Sequence, residues 1–160
     1  MAHLDSLVVD QLSALLTDES NPITNLSNAA ALLNDSLDRI NWAGFYLYNQ
    51  NTQELDLGPF QGKVACMHIT PGSGVVGTSY QRNESIIVAD VHQFAGHIAC
   101  DAASNAEIVT PIVIDNQVVG IIDIDSPDFN RFDATDQTVL TAFAEELAQH
   151  LDVAHLAAIY

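Results

Sequence analysis

Basic residues are scarce in this sequence. Four of them, Lys63, Arg39, Arg82 and Arg131, stand against 21 acidic residues, which gives a formal net charge of -17. A nucleic-acid-binding surface needs clustered cations to neutralise phosphates, and four scattered cations cannot supply one. The same charge would repel an anionic lipid surface. The charge balance therefore predicts a strongly solvated protein with neither nucleic acid nor membrane among its partners.

Long apolar runs are also missing, and no stretch approaches the roughly 18 consecutive apolar residues of a transmembrane helix. The start of the chain, from Met1 to Asp5, carries neither the basic nor the apolar region of a secretory signal peptide. We therefore expect a cytoplasmic protein. A chain of 160 residues, 48% of them hydrophobic, is large enough to bury a core. We expect a single globular domain over residues 1–160.

Cysteine occurs only twice, at Cys66 and Cys100. Two cysteines are too few for the disulfide framework of a small secreted domain. They are therefore either inert packing residues, as free cysteines often are, or they carry chemistry. Both follow glycine-containing stretches, and Cys100 lies in the aperiodic segment 90–104. A segment of this length without secondary structure is usually functional.

A reactive thiol must be accessible and partly ionised near neutral pH. His97 lies three residues before Cys100, and we expect a helix to begin near Asp101. Either feature would favour a thiolate at Cys100. His68, His92 and His97 together with the two cysteines also raise the alternative of a zinc site. Their spacings, Cys-x-His and His-x4-His-x2-Cys, fit no standard zinc module, and we expect neither a metal nor another cofactor.

Hydrophobic periodicity predicts an α+β domain with a mostly antiparallel sheet and with N- and C-terminal helices on one face. The predicted helices cover about 5–17, 23–37 and 74–82, and a last helix capped by Asp133 runs to about 154. The predicted strands cover 39–48, 54–57, 64–70, 85–89, 107–114 and 118–125. The irregular segments between 58 and 104 would then cover a ligand cavity on the other face of the sheet.

Three carboxylates gather around the last predicted hairpin. Glu107 opens one strand, and Asp123 and Asp125 share a face of its partner because strand side chains alternate. Such acids are ordinarily solvated. If they are buried together, repulsion and desolvation raise at least one pKa and leave a proton donor near pH 7. The same carboxylates could bind an ammonium group.

Trp42 and Tyr46 lie four residues apart on one face of the first predicted strand. Their ordinary interpretation is core packing. The alternative is that they form one wall of a pocket for a small, partly cationic ligand.

These features occur together in four sequence runs. They are NWAGFY at 41–46, GPFQGK at 58–63, GHIACDAASNAE at 96–107 and GIIDIDS at 120–126. The chain closely resembles the free methionine-(R)-sulfoxide reductases, which are single-domain proteins of the GAF fold. The resemblance extends over about residues 5–153, and the run at 96–107 is its most specific part.

The resemblance implies a thiol-based reductase that acts on the free amino acid sulfoxide. Cys100 would be the attacking thiolate and Cys66 the resolving thiol, and their disulfide would be reduced by a thioredoxin-like protein. Glu107, Asp123 and Asp125 would hold the substrate and assist proton transfer. The resemblance also implies that Trp42 and Tyr46 cradle the methyl-sulfoxide end and that the protein is a homodimer.

Two departures from the family pattern concern the turn before the third predicted helix. The family usually has a third cysteine in a Gly-Val-Cys-Gly turn, and here Val76 takes its place. This excludes a three-cysteine relay. His68 and Ser73 stand where the family has basic residues, which weakens any charge-based recognition of the substrate carboxylate there. The alternative function is a GAF sensor module, without catalysis, that binds a small molecule or responds to redox state.

Overall fold

The computed structural model describes residues 4–98, 100 and 102–160. Five α-helices are found in these residues: α1 (Leu7–Leu16), α2 (Pro22–Ser36), α3 (Gly74–Arg82), α4 (Ala134–Ala148) and α5 (Val153–Ile159). The strands are β1 (Trp42–Asn49), β2 (Glu54–Gly62), β3 (His68–Ile69), β4 (Ile86–Val88), β5 (Ala106–Ile114) and β6 (Gln117–Ser126). A 3-10 turn covers Val91–Gln93. No helix in the described part of the chain is long and apolar enough to cross a membrane.

The six strands form one antiparallel sheet in the order β3-β2-β1-β6-β5-β4. One face of the sheet carries the larger core, which includes buried residues of α1, α2 and α4 and of strands β1, β5 and β6. The opposite face carries a smaller core that includes Trp42, Tyr46, Val75 and Val76. The predicted α+β architecture, with the terminal helices on one face, is therefore confirmed.

Local sequence signals account for the helix starts. The Asn21 side chain accepts hydrogen bonds from the amides of Ile23 and Thr24 at the start of α2, where Pro22 occupies the first turn without needing a donor. Asp133 and Asp136 form a reciprocal capping box at the start of α4. These caps satisfy amides that have no partner within the helix.

Strand β2 is longer than predicted. The pair Gly58-Pro59 was expected to end it, but the strand continues to Gly62. Its pairing with β1 shifts register between Gly44 and Tyr46, opposite Gly58-Pro59. Such an irregularity accommodates a proline, which cannot donate to the ladder.

The strand predicted over 64–70 is mostly wrong, because only His68–Ile69 pairs with β2. Residues 63–67 are irregular: the Met67 carbonyl still accepts a hydrogen bond from the Leu57 amide of β2, and Cys66 is bonded to Cys100. The last helix is also shorter than predicted and ends at Ala148. Asp152 then caps the separate helix α5 by accepting a hydrogen bond from the His155 amide.

Candidate functional site

The two cysteines meet although 34 residues separate them in sequence. Cys66 and Cys100 form a disulfide, with their Cα atoms 5.4 Å apart. Both lie in irregular segments, and both are only partly buried. The Tyr46 hydroxyl donates to the Cys66 carbonyl over 2.9 Å, which fixes the segment of Cys66 to the sheet. The cysteines are therefore a bonded pair near the surface and not two separate packing residues.

A cavity of about 50 Å³ lies beside this disulfide, on the sheet face away from the terminal helices. Cys100 lines the cavity, whereas Cys66 packs against the smaller core. The remaining lining comes from the sheet, from the start of α3 and from the loop before Cys100. Its polar members are Tyr46, Ser73, His97, Ser104, Glu107, Asp123 and Asp125.

The three predicted carboxylates converge in this cavity. Glu107 on β5 pairs directly with Asp125 on β6, and Asp123 lies two residues earlier on the same face. An oxygen from each carboxylate lies within 4.8 Å of the others. Glu107 and Asp123 are buried, at 7% and 5% exposure. The sequence-based alternative, that the two acids on one strand face are simply solvated, is therefore wrong for Asp123.

Burial changes the acidity of these groups. Desolvation, followed by the charges of Asp123 and Asp125, raises the pKa of Glu107 well above its usual value. Desolvation also raises the pKa of Asp123 to about 6, although its hydrogen bond with Glu107 acts in the opposite direction. One Asp123 oxygen, Oδ1, is buried without a hydrogen-bond partner. The cavity thus holds two buried carboxyl groups that keep a proton to higher pH than ordinary carboxylic acids do, and one carboxylate oxygen with unused acceptor capacity.

Trp42 and Tyr46 form one wall of the cavity, as the pocket interpretation predicted. The centroids of the stacked Trp42 and Tyr46 rings are 6.0 Å apart. The Phe60 ring also stacks on Trp42, with a centroid distance of 5.1 Å. The Trp42 indole nitrogen donates to the Lys63 carbonyl over 3.1 Å. Gly62 has a φ of +140°, and a Cβ there would lie 2.5 Å from Trp42 Cδ1, so glycine is needed for this close approach.

The start of α3 also lines the cavity. Ser73, the N-cap residue, and Gly74, Val75 and Val76 of the first turn all line it. The Ser73 side chain makes no capping hydrogen bond. Val76, which replaces the family's third cysteine, is buried in this wall. Because the first amides of a helix lack intrahelical acceptors, this end can receive a negatively charged group.

The two features that were expected to favour a thiolate at Cys100 are a nearby histidine and a helix start. Burial, followed by the charge of His92, lowers the pKa of His97, so its ring is neutral near pH 7. Asp101, where a helix was expected to begin, lies outside the described residues. Ala102 and Ala103 form a turn that leads to β5, so the expected helix is wrong.

The histidines and cysteines do not form a common metal site in the described residues. His68 pairs with Asp56 at 2.8 Å and His92 pairs with Asp90 at 2.9 Å, both on the surface. The oxygen cluster of Glu107, Asp123 and Asp125 is the one group in the described residues with a spacing that could hold a cation. Sequence reasoning treated these acids as substrate ligands and did not consider them as metal ligands. The expectation of no metal stays a prediction.

One further polar residue of the site, Ser104, was missed. Ser104 is buried in the cavity wall, and its hydroxyl oxygen accepts a hydrogen bond from the Asn41 side-chain amide over 3.1 Å. The signal for Ser104 was present, because it lies within the distinctive run at 96–107.

The site as a whole combines a disulfide with buried carboxyl groups in one cavity. Such a pair of cysteines can cycle between dithiol and disulfide beside a proton donor.

Comparison with known proteins agrees with this fold. Residues 12–152 match the GAF domain family. A free methionine-R-sulfoxide reductase of Escherichia coli (strain K12) is 50% identical over 139 residues, which cover 87% of this chain and 83% of that protein. A solved structure of fRMsr of Staphylococcus aureus in its reduced form is 51% identical, with a TM-score of 0.87 over 91% of this chain and 94% of that chain. A structure of the same protein in complex with substrate gives a TM-score of 0.85 over the same shares.

The six-stranded sheet with the terminal helices on one face is that of a GAF domain, and the predicted fold is confirmed. The chain belongs to the free methionine-R-sulfoxide reductase family of GAF domain proteins.

Proposed function

We propose that this protein reduces free methionine-(R)-sulfoxide to methionine through a disulfide cycle of Cys100 and Cys66. The observation that carries the proposal is the position of Cys100, which lines the same cavity as Glu107, Asp123 and Asp125. The nucleophile and the proton donors would therefore face one substrate. The relatives support the substrate class, since the Escherichia coli protein is a free methionine-R-sulfoxide reductase.

The chemistry begins with both cysteines reduced. The Cys100 thiolate attacks the sulfoxide sulfur while an acid protonates the sulfoxide oxygen, and methionine leaves as Cys100 becomes a sulfenic acid. The Cys66 thiol then attacks the Cys100 sulfur, a water molecule leaves, and the Cys66–Cys100 disulfide forms. The sulfoxide gains two electrons, and the two thiols lose them.

Glu107 is the best candidate for the proton donor. Its raised pKa keeps it neutral at a pH where an ordinary glutamate is ionised. Asp123 and Asp125 would receive the ammonium group of the substrate, and the unpartnered Oδ1 of Asp123 offers an acceptor for it. The carboxyl group of a free amino acid sulfoxide would lie against the first turn of α3, where amides rather than basic side chains would recognise it.

Trp42 and Tyr46 would bound the methyl-sulfoxide end of the substrate. Their buried, stacked rings form a wall that fits a small apolar group. Tyr46 also contacts the Cys66 segment through its hydroxyl. Burial, with the charges of Asp123, Asp125 and Glu107, raises the pKa of Tyr46, so this hydroxyl stays protonated as a donor.

A protein dithiol of the thioredoxin type would return the disulfide to two thiols. The protein would act in the cytoplasm, where such reductants keep the cycle running. We also propose a homodimer, which light scattering at several protein concentrations tests directly. A monomer at all concentrations would contradict it.

The decisive experiment offers separated R and S diastereomers of free methionine sulfoxide to reduced protein with dithiothreitol. Methionine should form from the R diastereomer alone. Absence of turnover with either diastereomer, in a folded and reduced sample, would contradict the proposal. The alternative of a sensor module without catalysis would then be the better explanation of the cavity.

A further inference from the structure

Two strongly exposed apolar side chains lie next to Cys66 in the chain. Val64 is 88% exposed and Met67 is 71% exposed, and these are the two most exposed large apolar residues in the described part of the chain. They flank Cys66 in sequence, two residues before it and one after it. We call Val64 and Met67 the Cys66 rim. Exposed apolar groups beside a reactive bond indicate a contact surface.

The cysteine segments also differ from the rest of the chain in charge. The protein has 21 acidic residues, but none lies between Asp56 and Glu84, a stretch that contains Cys66 and two of the four cations, Lys63 and Arg82. No acidic residue lies between Asp90 and Asp101, the stretch that contains Cys100. A partner that docks here desolvates no carboxylate from these two stretches, which would otherwise oppose binding.

The two sulfur atoms have different surroundings. Cys100 lines the substrate cavity, whereas Cys66 is absent from that lining and lies between the two rim residues in the chain. A small thiol can enter a cavity, but a folded protein cannot. The exposed apolar surface that a folded protein can contact beside the bond is the Cys66 rim, because Val64 and Met67 are both more than two-thirds exposed.

We propose that the Cys66 rim is the docking surface for a protein dithiol, which attacks the sulfur of Cys66. This inference rests on the proposed disulfide cycle. The partner's thiolate forms a mixed disulfide with Cys66, the Cys66–Cys100 bond breaks, and Cys100 leaves as a thiolate. The partner's second thiol then attacks the sulfur of the partner's first cysteine in the mixed disulfide. Cys66 is released as a thiolate, and the partner is oxidised to a disulfide.

The first test compares two reductants on one double variant, Val64→Ser with Met67→Gln. Thioredoxin, kept reduced by its reductase and NADPH, should show a KM raised about five- to tenfold, which is the usual effect of losing an interface contact. Turnover with dithiothreitol should be unchanged, because neither residue lines the cavity. An unchanged KM for thioredoxin, with normal dithiothreitol turnover, overturns the docking surface and leaves the proposed function intact. If the unaltered protein does not reduce the sulfoxide with dithiothreitol at all, the proposed function itself is contradicted.

The matched control is the double variant Leu7→Gln with Leu15→Gln. These residues are also exposed apolar side chains, at 55% and 45%, but they lie on α1, across the sheet from the disulfide. The control should leave the KM for thioredoxin unchanged. An equal increase of the KM in the control would mean that any loss of exposed apolar side chains weakens the interaction. That result would overturn the assignment of the docking surface to the Cys66 rim.

A second test identifies the attacked sulfur. A thioredoxin variant that lacks its resolving cysteine is mixed with the oxidised protein, and the trapped mixed disulfide is digested and mapped by mass spectrometry. The adduct should lie on Cys66, and the rim variant should form it more slowly. An adduct on Cys100 would overturn the proposed direction of attack.

Discussion

Glu107 on β5 and Asp125 on β6 are direct partners across the sheet, so both carboxyl groups enter the cavity side by side. Asp123 joins them from the same strand face, and the three carboxylates have oxygens within 4.8 Å of one another. Like charges at this distance oppose joint ionisation, especially where water is excluded. The sheet register therefore creates the acid on which the proposed chemistry depends.

The first prediction concerns Glu107→Gln. Glutamine keeps the shape and can hydrogen-bond, but it cannot deliver a proton, so the rate of the first turnover should fall about 10²- to 10⁴-fold. In the unaltered protein this rate should decline as pH rises through the raised pKa of Glu107, and the variant should lack that alkaline decline. Single-turnover methionine formation by pre-reduced protein measures this without interference from the reductant's own ionisation.

Glu84→Gln is the control for this change, because Glu84 is exposed and lies outside the cavity. It should keep both the rate and the pH profile. An alkaline decline that persists in Glu107→Gln would assign the proton donor to another group.

The second prediction concerns Asp123→Asn and stability. Asp123 has a pKa of about 6 in the folded protein against 3.8 for an ordinary aspartate. Between these values the folded state holds a proton that the unfolded state has lost, so stability falls as pH rises through this window. Asparagine cannot ionise. The variant should therefore gain on the order of 1–3 kcal/mol relative to the unaltered protein between pH 4 and pH 8.

Urea unfolding at the two pH values measures this difference, and Asp115→Asn is the control because Asp115 is exposed in the β5–β6 turn. The control should show no comparable change with pH. A stability difference for Asp123→Asn that is equal at both pH values would mean that Asp123 is already ionised at low pH in the fold.

The third prediction separates the two cysteines. Cys100→Ser should abolish methionine formation, since the proposed nucleophile is gone. Cys66→Ser should release about one equivalent of methionine and then stop with thioredoxin as reductant, because a sulfenic acid without a resolving thiol cannot form the disulfide. Dimedone labelling and mass spectrometry should find the sulfenic acid on Cys100. Multiple turnover of Cys66→Ser with thioredoxin would remove Cys66 from the cycle.

The sequence predicted the parts of this molecule that depend on local pattern. Helix α3 was expected at 74–82 and is found at Gly74–Arg82, because its turn residues and apolar spacing are local signals. The carboxylates could be placed on one strand face because alternation in a strand is independent of context. Their burial depends on distant segments that pack over them, so the sequence alone could not predict whether they are buried.

The errors lie where tertiary contacts override local preference. Pro59 predicts the end of a strand, but β2 continues because the shifted pairing with β1 accommodates the proline. Residues 64–67 were expected to continue strand β3, yet they form no ladder, and Cys66 is bonded to the distant Cys100, a contact that has no local signal. The meeting of α3 and the carboxylates in one cavity has no local signal, because it arises only when these distant parts of the chain fold together.

The fourth prediction concerns Arg131, which is 1% exposed. Its guanidinium donates to the Asp38 carbonyl after α2, over 3.0 Å from Nη2 and 3.3 Å from Nε. Its Nη1 lies 3.7 Å from the Asp136 carboxylate on α4. Asp136 also accepts the amide of Leu4 over 2.8 Å, so this residue and Arg131 connect the start of the chain, α2 and α4.

Arg131→Gln should destabilise the fold by about 3–5 kcal/mol, because it leaves the buried Asp136 carboxylate without its cation. Arg39→Gln is a matched control that removes the same charge from the surface, where Arg39 pairs with Asp128 at 2.7 Å. That exposed pair contributes only about 0–1 kcal/mol. Because both variants make the net charge equally more negative, the difference between their urea midpoints isolates the buried contacts. Equal midpoints would mean that net charge, and not the Arg131 contacts, governs the stability of this acidic protein.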